Sequence, residues 1–270
     1  MNRVATKSGW RRHIAMLKRR ADSGDFAAMT DLGLNLLEGI QDRRGRSLVQ
    51  RNPAAALVWL RLAADRGDAT AAVTVGYAYD VGLGTRADVE LAIRWYRRAA
   101  RAGSSMAASN LATVYRDLGK PRLAFRWWMR AFDMGDGDAA VDVGYGYQYG
   151  IGTRKDPVRA KQICRRAIAS KHITQYQREA ALYHLALQSL DEGDRRSAIR
   201  LLRTASVDED YPEAAAVLQQ VERRSELVPC RCKRLINKRL RGHAECVLHP
   251  RRFSGGNAAR AGRAKKKGRR

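Results

Sequence analysis

Small and apolar residues recur along this chain at helical spacing, and the pattern returns four times. After Gly24, Gly67, Gly103 and Gly135 come four columns. They are an alanine column (Ala28, Ala71, Ala107, Ala139), an aliphatic column (Leu32, Val75, Leu111, Val143), a small column (Gly33, Gly76, Ala112, Gly144) and a last column of Leu36, Tyr79, Tyr115 and Tyr147. Steps of four, one and three residues put them on one face of a helix. The small column lets a neighbouring helix approach closely.

A second helix is predicted in each unit. Its columns are Ala56, Ala92, Ala124, Ala160, then Trp59, Trp95, Trp127, Ile163, then Ala63, Ala99, Ala131, Ala167. Asn52, Asp88 and Asp156 stand where an N-cap side chain accepts orphan backbone N–H groups, and Pro53 suits the first helical position. Gly67, Gly103 and Gly135 supply the left-handed residue that ends such a helix. From Gly24 through Gly67 and Gly103 to Gly135 the successive steps are 43, 36 and 32 residues. Each unit is therefore a helix hairpin, which cannot bury its apolar face alone and must stack on its neighbours as a solenoid.

A fifth, weaker unit follows, with Ala181, Leu185 and Ala186 in the first-helix columns and Gly193, Ala198, Leu201 and Ala205 in the second. Tyr211 to Gln220 reads as a closing helix. At the start, Trp10, Ile14, Leu17 and Ala21 fit a capping helix. The aromatic columns are expected in the core, with Tyr96 and Trp128, one step beyond the Trp column, more exposed and better placed for contacts.

The run Ala71, Val75-Gly76-Tyr77, Tyr79, Gly82-Leu-Gly84-Thr-Arg, Asp88, Ala92, Trp95, Ala99-Ala100 and Gly103 resembles a Sel1-like repeat, and Gly150-Ile-Gly152-Thr-Arg-Lys-Asp156 repeats its turn. The resemblance is strong over residues 21–170 and fades towards 220. It implies an all-α fold: a right-handed α/α solenoid of about five helix pairs, related to tetratricopeptide arrays. It also implies a non-catalytic adaptor that assembles protein complexes. Two units depart from the pattern. The third has Leu118-Gly119-Lys120-Pro121 in place of the Gly-x-Gly turn, and the first has a longer loop, Gln41–Arg51, bearing Arg43, Arg44, Arg46 and Arg51. A single cysteine in the array, Cys164, excludes the Cys-rich members with a disulfide in each repeat.

Charge changes the picture at the ends of the chain. The 270 residues carry 52 Lys/Arg against 27 Asp/Glu, a formal net charge of +25. Residues 1–20 contribute +7, residues 226–270 contribute +13, and the 205 residues between them only +5. The domain reading follows: a basic N-terminal capping helix over 1–20, the solenoid over 21–225, a small metal-binding element over 226–252 and a Lys/Arg-rich tail over 253–270, expected to be disordered. The start lacks a secretory h-region, and the longest apolar run, Ala54–Leu60, is far too short to span a bilayer. Its Arg-rich, acid-poor composition also resembles a transit peptide, but the same stretch fits the capping helix. A cytoplasmic protein without membrane insertion is expected.

Few residues are candidates for chemistry. The Gly-x-Gly pairs lack the Lys-Ser/Thr or third glycine of a phosphate loop and read as turns. Cys164 reads as a buried inert thiol, and His172 and His184 as ordinary polar or packing residues. No nucleophile–base set or paired-carboxylate motif is present, so no enzymatic activity is expected.

The C-terminal segment differs. Cys230, Cys232, Cys246 and His249 form a Cys-x-Cys and Cys-x-x-His set, whose thiolate and imidazole donors suit tetrahedral structural Zn²⁺ and leave no open position for catalytic water. Free thiols and a redox pair are the competing readings. Lys233, Arg234, Lys238, Arg239 and Arg241 lie between the ligand pairs, and Arg251, Arg252, Lys265, Lys266 and Lys267 follow them. These cations are the expected contacts to an acidic partner or to phosphate. The sequence thus points to a scaffold that holds a protein partner on its solenoid and adds a basic C-terminal module. The alternative is a nucleic-acid-associated protein using the zinc element and tail for salt-sensitive phosphate contacts.

Overall fold

The computed structural model describes residues 7–42, 44–207 and 211–223. Those residues form twelve α-helices and one two-stranded ribbon. A capping helix α1 (Lys7–Asp22) precedes five helix pairs. The pairs are α2 (Phe26–Glu38) with α3 (Pro53–Asp65), α4 (Ala69–Val81) with α5 (Val89–Arg101), α6 (Ser105–Asp117) with α7 (Pro121–Asp133), α8 (Ala139–Tyr149) with α9 (Pro157–Ile168), and α10 (Gln175–Asp191) with α11 (Arg195–Ala205). A final helix, α12 (Pro212–Arg223), packs on α11.

The helices start where capping chemistry allows. Asn52, Asp88 and Asp156 accept the backbone N–H of Ala55, Leu91 and Arg159, and the first helices are capped in the same way by Asp25, Asp68 and Ser104. Each helix packs on its chain neighbours, most extensively within a pair. The first helices (α2, α4, α6, α8, α10) therefore form one layer and the second helices (α3, α5, α7, α9, α11) another.

The core between the layers is built on alanine and one glycine column. A methyl added at Gly33, Gly76 or Gly144 would lie 2.5 Å from Leu60, 2.8 Å from Tyr96 or 2.8 Å from Cys164. Those partners belong to one column, Leu60, Tyr96, Trp128, Cys164 and Leu202, buried in all five pairs. The column before it, Trp59, Trp95, Trp127, Ile163 and Leu201, is only half-buried.

This reverses the expectation for the aromatic columns: Tyr96 is 1% exposed and Trp128 9%, while the neighbouring tryptophans reach solvent. The helical period explains it. Relative to Ala92, Tyr96 lies about 40° to one side and Trp95 about 60° to the other. Ile93 and Ala100, also buried, lie on the Tyr96 side and move the centre of the apolar face towards it.

The Gly-x-Gly turns join one unit to the previous one. Gly84 (φ +74°) and Gly152 (φ +73°) sit so close to the start of the preceding second helix that a methyl would meet the Pro53 carbonyl at 2.5 Å and the Pro121 carbonyl at 2.2 Å. The long loop of the first unit folds as an antiparallel ribbon of β1 (Ile40–Gln41) and β2 (Ser47–Val49), with Val49 buried. Asp42 closes its turn by accepting the backbone N–H of Arg44 and Arg46 at 2.8 and 3.0 Å and the Arg46 guanidinium at 2.7 Å.

Candidate functional site

The two layers carry opposite charge. The second helices hold sixteen Lys/Arg against three Asp/Glu, and the first helices two against seven. The near-neutral total of the repeat region therefore conceals a strong separation. Its cause is packing. From the second unit on, a second helix buries a narrower apolar stripe and leaves a wide face for arginine, whereas its first helix buries more of its positions.

One first-helix position recurs. The residue before the aliphatic column is polar in every unit: Asp31, Thr74, Asn110, Asp142 and His184. It runs from exposed Asp31, through half-buried Thr74, Asn110 and Asp142, to buried His184. A groove of about 720 Å³ opens over this ladder between α6, α8 and the start of α10, lined by Asn110, Thr113, Asp136, Asp142, His172 and Gln177 among others.

The groove wall is tied together by carboxylates. Asp136 accepts from Ser109 Oγ at 2.5 Å and from the backbone N–H of Asp138 at 3.0 Å. Asp138 accepts from the Thr174 N–H at 2.8 Å and the Thr174 hydroxyl at 3.0 Å, which joins α8 to α10. Asp142 is different. Burial pushes its carboxyl up to about 7; Arg116 opposes the shift, and Asp136 and Asp138 add to it. The groove is thus polar and acidic.

The predicted site residues are distributed unevenly. Trp128 forms part of the groove wall but sits deep, with the Arg116 guanidinium 5.9 Å from its ring centroid. Cys164 is a buried free thiol whose pKa burial pushes up to about 12. His172 is exposed at the groove. The expected zinc set Cys230, Cys232, Cys246 and His249, and the cations Lys233, Arg234, Lys238, Arg239, Arg241, Arg251, Arg252, Lys265, Lys266 and Lys267, lie outside the described residues. Among the described residues no group of three His, Cys, Asp or Glu could hold a metal, and no helix is long and apolar enough to cross a membrane. Sequence reasoning missed Asp142 and its ladder, although a polar residue beside each aliphatic column was the available signal.

A family model described as Sel1 repeat matches residues 27–68, 69–104, 105–136 and 137–172. Among solved structures, a Sel1 repeat protein from Oxalobacter formigenes is 25% identical with a TM-score of 0.58, the match covering 72% of this chain and 74% of that one. A protective antigen present in uropathogenic Escherichia coli strains, displaying an SLR fold, is 22% identical with a TM-score of 0.66. That match covers 93% of this chain and 53% of the antigen, so the chain spans about half the antigen's length, and the likeness is one of fold. The matched units run without a gap through the first four helix pairs and take in more than half of the sequence: the chain belongs to the Sel1 repeat family.

Proposed function

We propose that this protein is a non-catalytic scaffold that assembles protein partners on its helix-pair solenoid. The observation that carries the reading is the separation of charge between the two layers. One stacked body offers an acidic, polar groove on its first helices and an arginine-rich surface on its second helices. Repeat solenoids act through such extended surfaces, and charge complementarity selects partners and steers their approach.

The groove reading is tested by site-specific photo-crosslinking in cells. Met106 lines the groove and is 62% exposed; Val58, on α3, is 59% exposed and serves as a matched control. A crosslinker at 106 is expected to give discrete protein adducts that an Asn110→Arg substitution removes, while position 58 gives none of the same adducts. Absence of discrete adducts at 106, or adducts indifferent to Asn110→Arg, overturns the reading.

The C-terminal segment supplies the finer part of the proposal. Its support is the donor set Cys230, Cys232, Cys246 and His249, together with the basic residues interleaved with it. In this reading zinc folds the element and the cations meet an acidic partner. Purified full-length protein is expected to hold one zinc per chain, lost in a Cys230→Ser/Cys232→Ser variant; no zinc, or zinc retained in the variant, overturns it. Capture of a partner by the full chain but not by residues 1–225, unchanged by nuclease, supports a protein contact. Loss on nuclease treatment decides for nucleic acid instead.

A further inference from the structure

We infer that the cleft between α5 and α7 is a docking site for a short acidic peptide segment of a protein partner. The cleft encloses about 400 Å³ on the second-helix layer. Its rim carries Arg97 and Arg101 from α5 and Arg126 and Arg130 from α7, all exposed, over a floor that includes Tyr115 and Trp127. Arg97 donates to the Tyr115 hydroxyl, and Arg130 lies over the Trp127 ring at 5.3 Å. None of the four is in an ion pair with a carboxylate among the described residues.

The repeats themselves show that this is not a consequence of the fold. In the equivalent position between α3 and α5, Arg61 donates to the Tyr79 hydroxyl at 3.5 Å, matching Arg97 and Tyr115. There, however, the counterpart of Arg101 is Asp65, and it holds Arg98, the counterpart of Arg130, in a 2.9 Å ion pair. Between α7 and α9 the same position is Asp133. The α5–α7 cleft alone of these three replaces the neutralising aspartate with a fourth arginine. Four like charges gathered around one cleft repel, and an anion placed between them relieves that cost.

The walls choose the class of anion. Guanidinium forks bind carboxylates in pairs, and Leu123 and Tyr115 add apolar surface for intervening side chains. Base stacking finds no free platform, because Trp127 is half-buried and Arg130 covers its ring. The inference rests on the scaffold reading only in taking the occupant to be a protein. It concerns the opposite layer from the groove that crosslinking at position 106 reports, so the two fail separately.

The test uses the full-length chain and fluorescence anisotropy with a labelled twelve-residue peptide of Glu, Asp and Leu. The decisive variant is Arg101→Asp, which installs the aspartate that Asp65 already provides one unit earlier. It is expected to melt as the parent does and to lose affinity about tenfold, with a further loss on adding Arg126→Glu. Parallel arms use a phosphoserine peptide of the same length and a dT12 oligonucleotide. Equal affinity of parent and Arg101→Asp for the acidic peptide overturns the proposal and assigns binding to the basic ends of the chain. A loss seen only with the phosphopeptide or only with the oligonucleotide also overturns it and names the other ligand.

Discussion

The Tyr96 ring packs against Gly76, so close that a methyl there would stand 2.8 Å from two ring carbons. Tyr96 is 1% exposed and has no room to retreat. Gly76→Ala gains about 1 kcal/mol of helix propensity but overpacks the α4–α5 contact, at a cost of about 1–3 kcal/mol. A net loss of stability is expected, read as a lower urea midpoint. Adding Tyr96→Ala removes the clash, so the double variant is expected to lose less than the sum of the two single losses. Additive losses would show that the ring does not set this approach.

The inter-unit turns make a sharper comparison. Gly150 and Gly152 share a positive φ of +74° and +73°, and differ in what a methyl would meet. At Gly150 the nearest atom is 3.3 Å away; at Gly152 the Pro121 carbonyl oxygen is at 2.2 Å and Phe125 Cβ at 2.8 Å. Gly150→Ala therefore costs mainly the left-handed backbone, about 1–2 kcal/mol, whereas Gly152→Ala also forces α7 and the next unit apart. The larger drop in melting temperature is expected for Gly152→Ala. Equal drops would show that backbone conformation alone fixes these glycines.

Much of this fold was legible because a solenoid writes its contacts locally. The spacing of the alanine columns and the caps at Asn52, Asp88 and Asp156 depend on residues within one or two turns, and the Gly-x-Gly turns, though pressed against the preceding unit, stand out by their own two glycines. What failed was the choice between neighbours on one helix. Trp95 and Tyr96 both flank the alanine stripe, and only Ile93 and Ala100 on the Tyr96 side decide which is covered. The ribbon at Ile40–Val49 was not legible either, since strands of two and three residues carry no alternation to read. Charge misled for another reason. A sum over residues 21–225 cancels the arginines of the second helices against carboxylates of the first helices, the caps and the loops, and only the assignment of residues to elements separates them. The Arg101 cleft needed that assignment first.

Asp142 should make stability depend on pH near neutrality. Its folded pKa of about 7 stands above the ordinary value of 3.8, chiefly through burial, so the folded chain holds a proton the unfolded chain releases. The sign follows from linkage: the contribution is complete below about pH 4 and is lost as pH rises through 7. Asp142→Asn keeps the shape and removes the ionisation. The variant is expected to melt no higher than the parent at pH 4.5 and above it at pH 8. A constant difference at both pH values would place the Asp142 carboxyl in ordinary solvent.

His184 acts in the opposite direction. Its Nε2 is buried without a hydrogen-bond partner among the described residues, and its ring centroid is 5.8 Å from that of Tyr145 and 5.7 Å from that of Tyr183. Burial holds its pKa down at about 4 against the usual 6.5. A depressed folded value means that the contribution is present above pH 6.5 and is lost as pH falls through 4, because the unfolded chain takes up the proton first. Acid is therefore expected to loosen α10 and α11 ahead of the earlier units, which couple to them only through nearest-neighbour contacts. Hydrogen exchange at pH 5 should rise first in residues 175–205. In His184→Leu that early rise is expected to disappear, while exchange at pH 7.5 changes little. An unchanged acid response in the Leu variant would assign it to another group in the fifth unit.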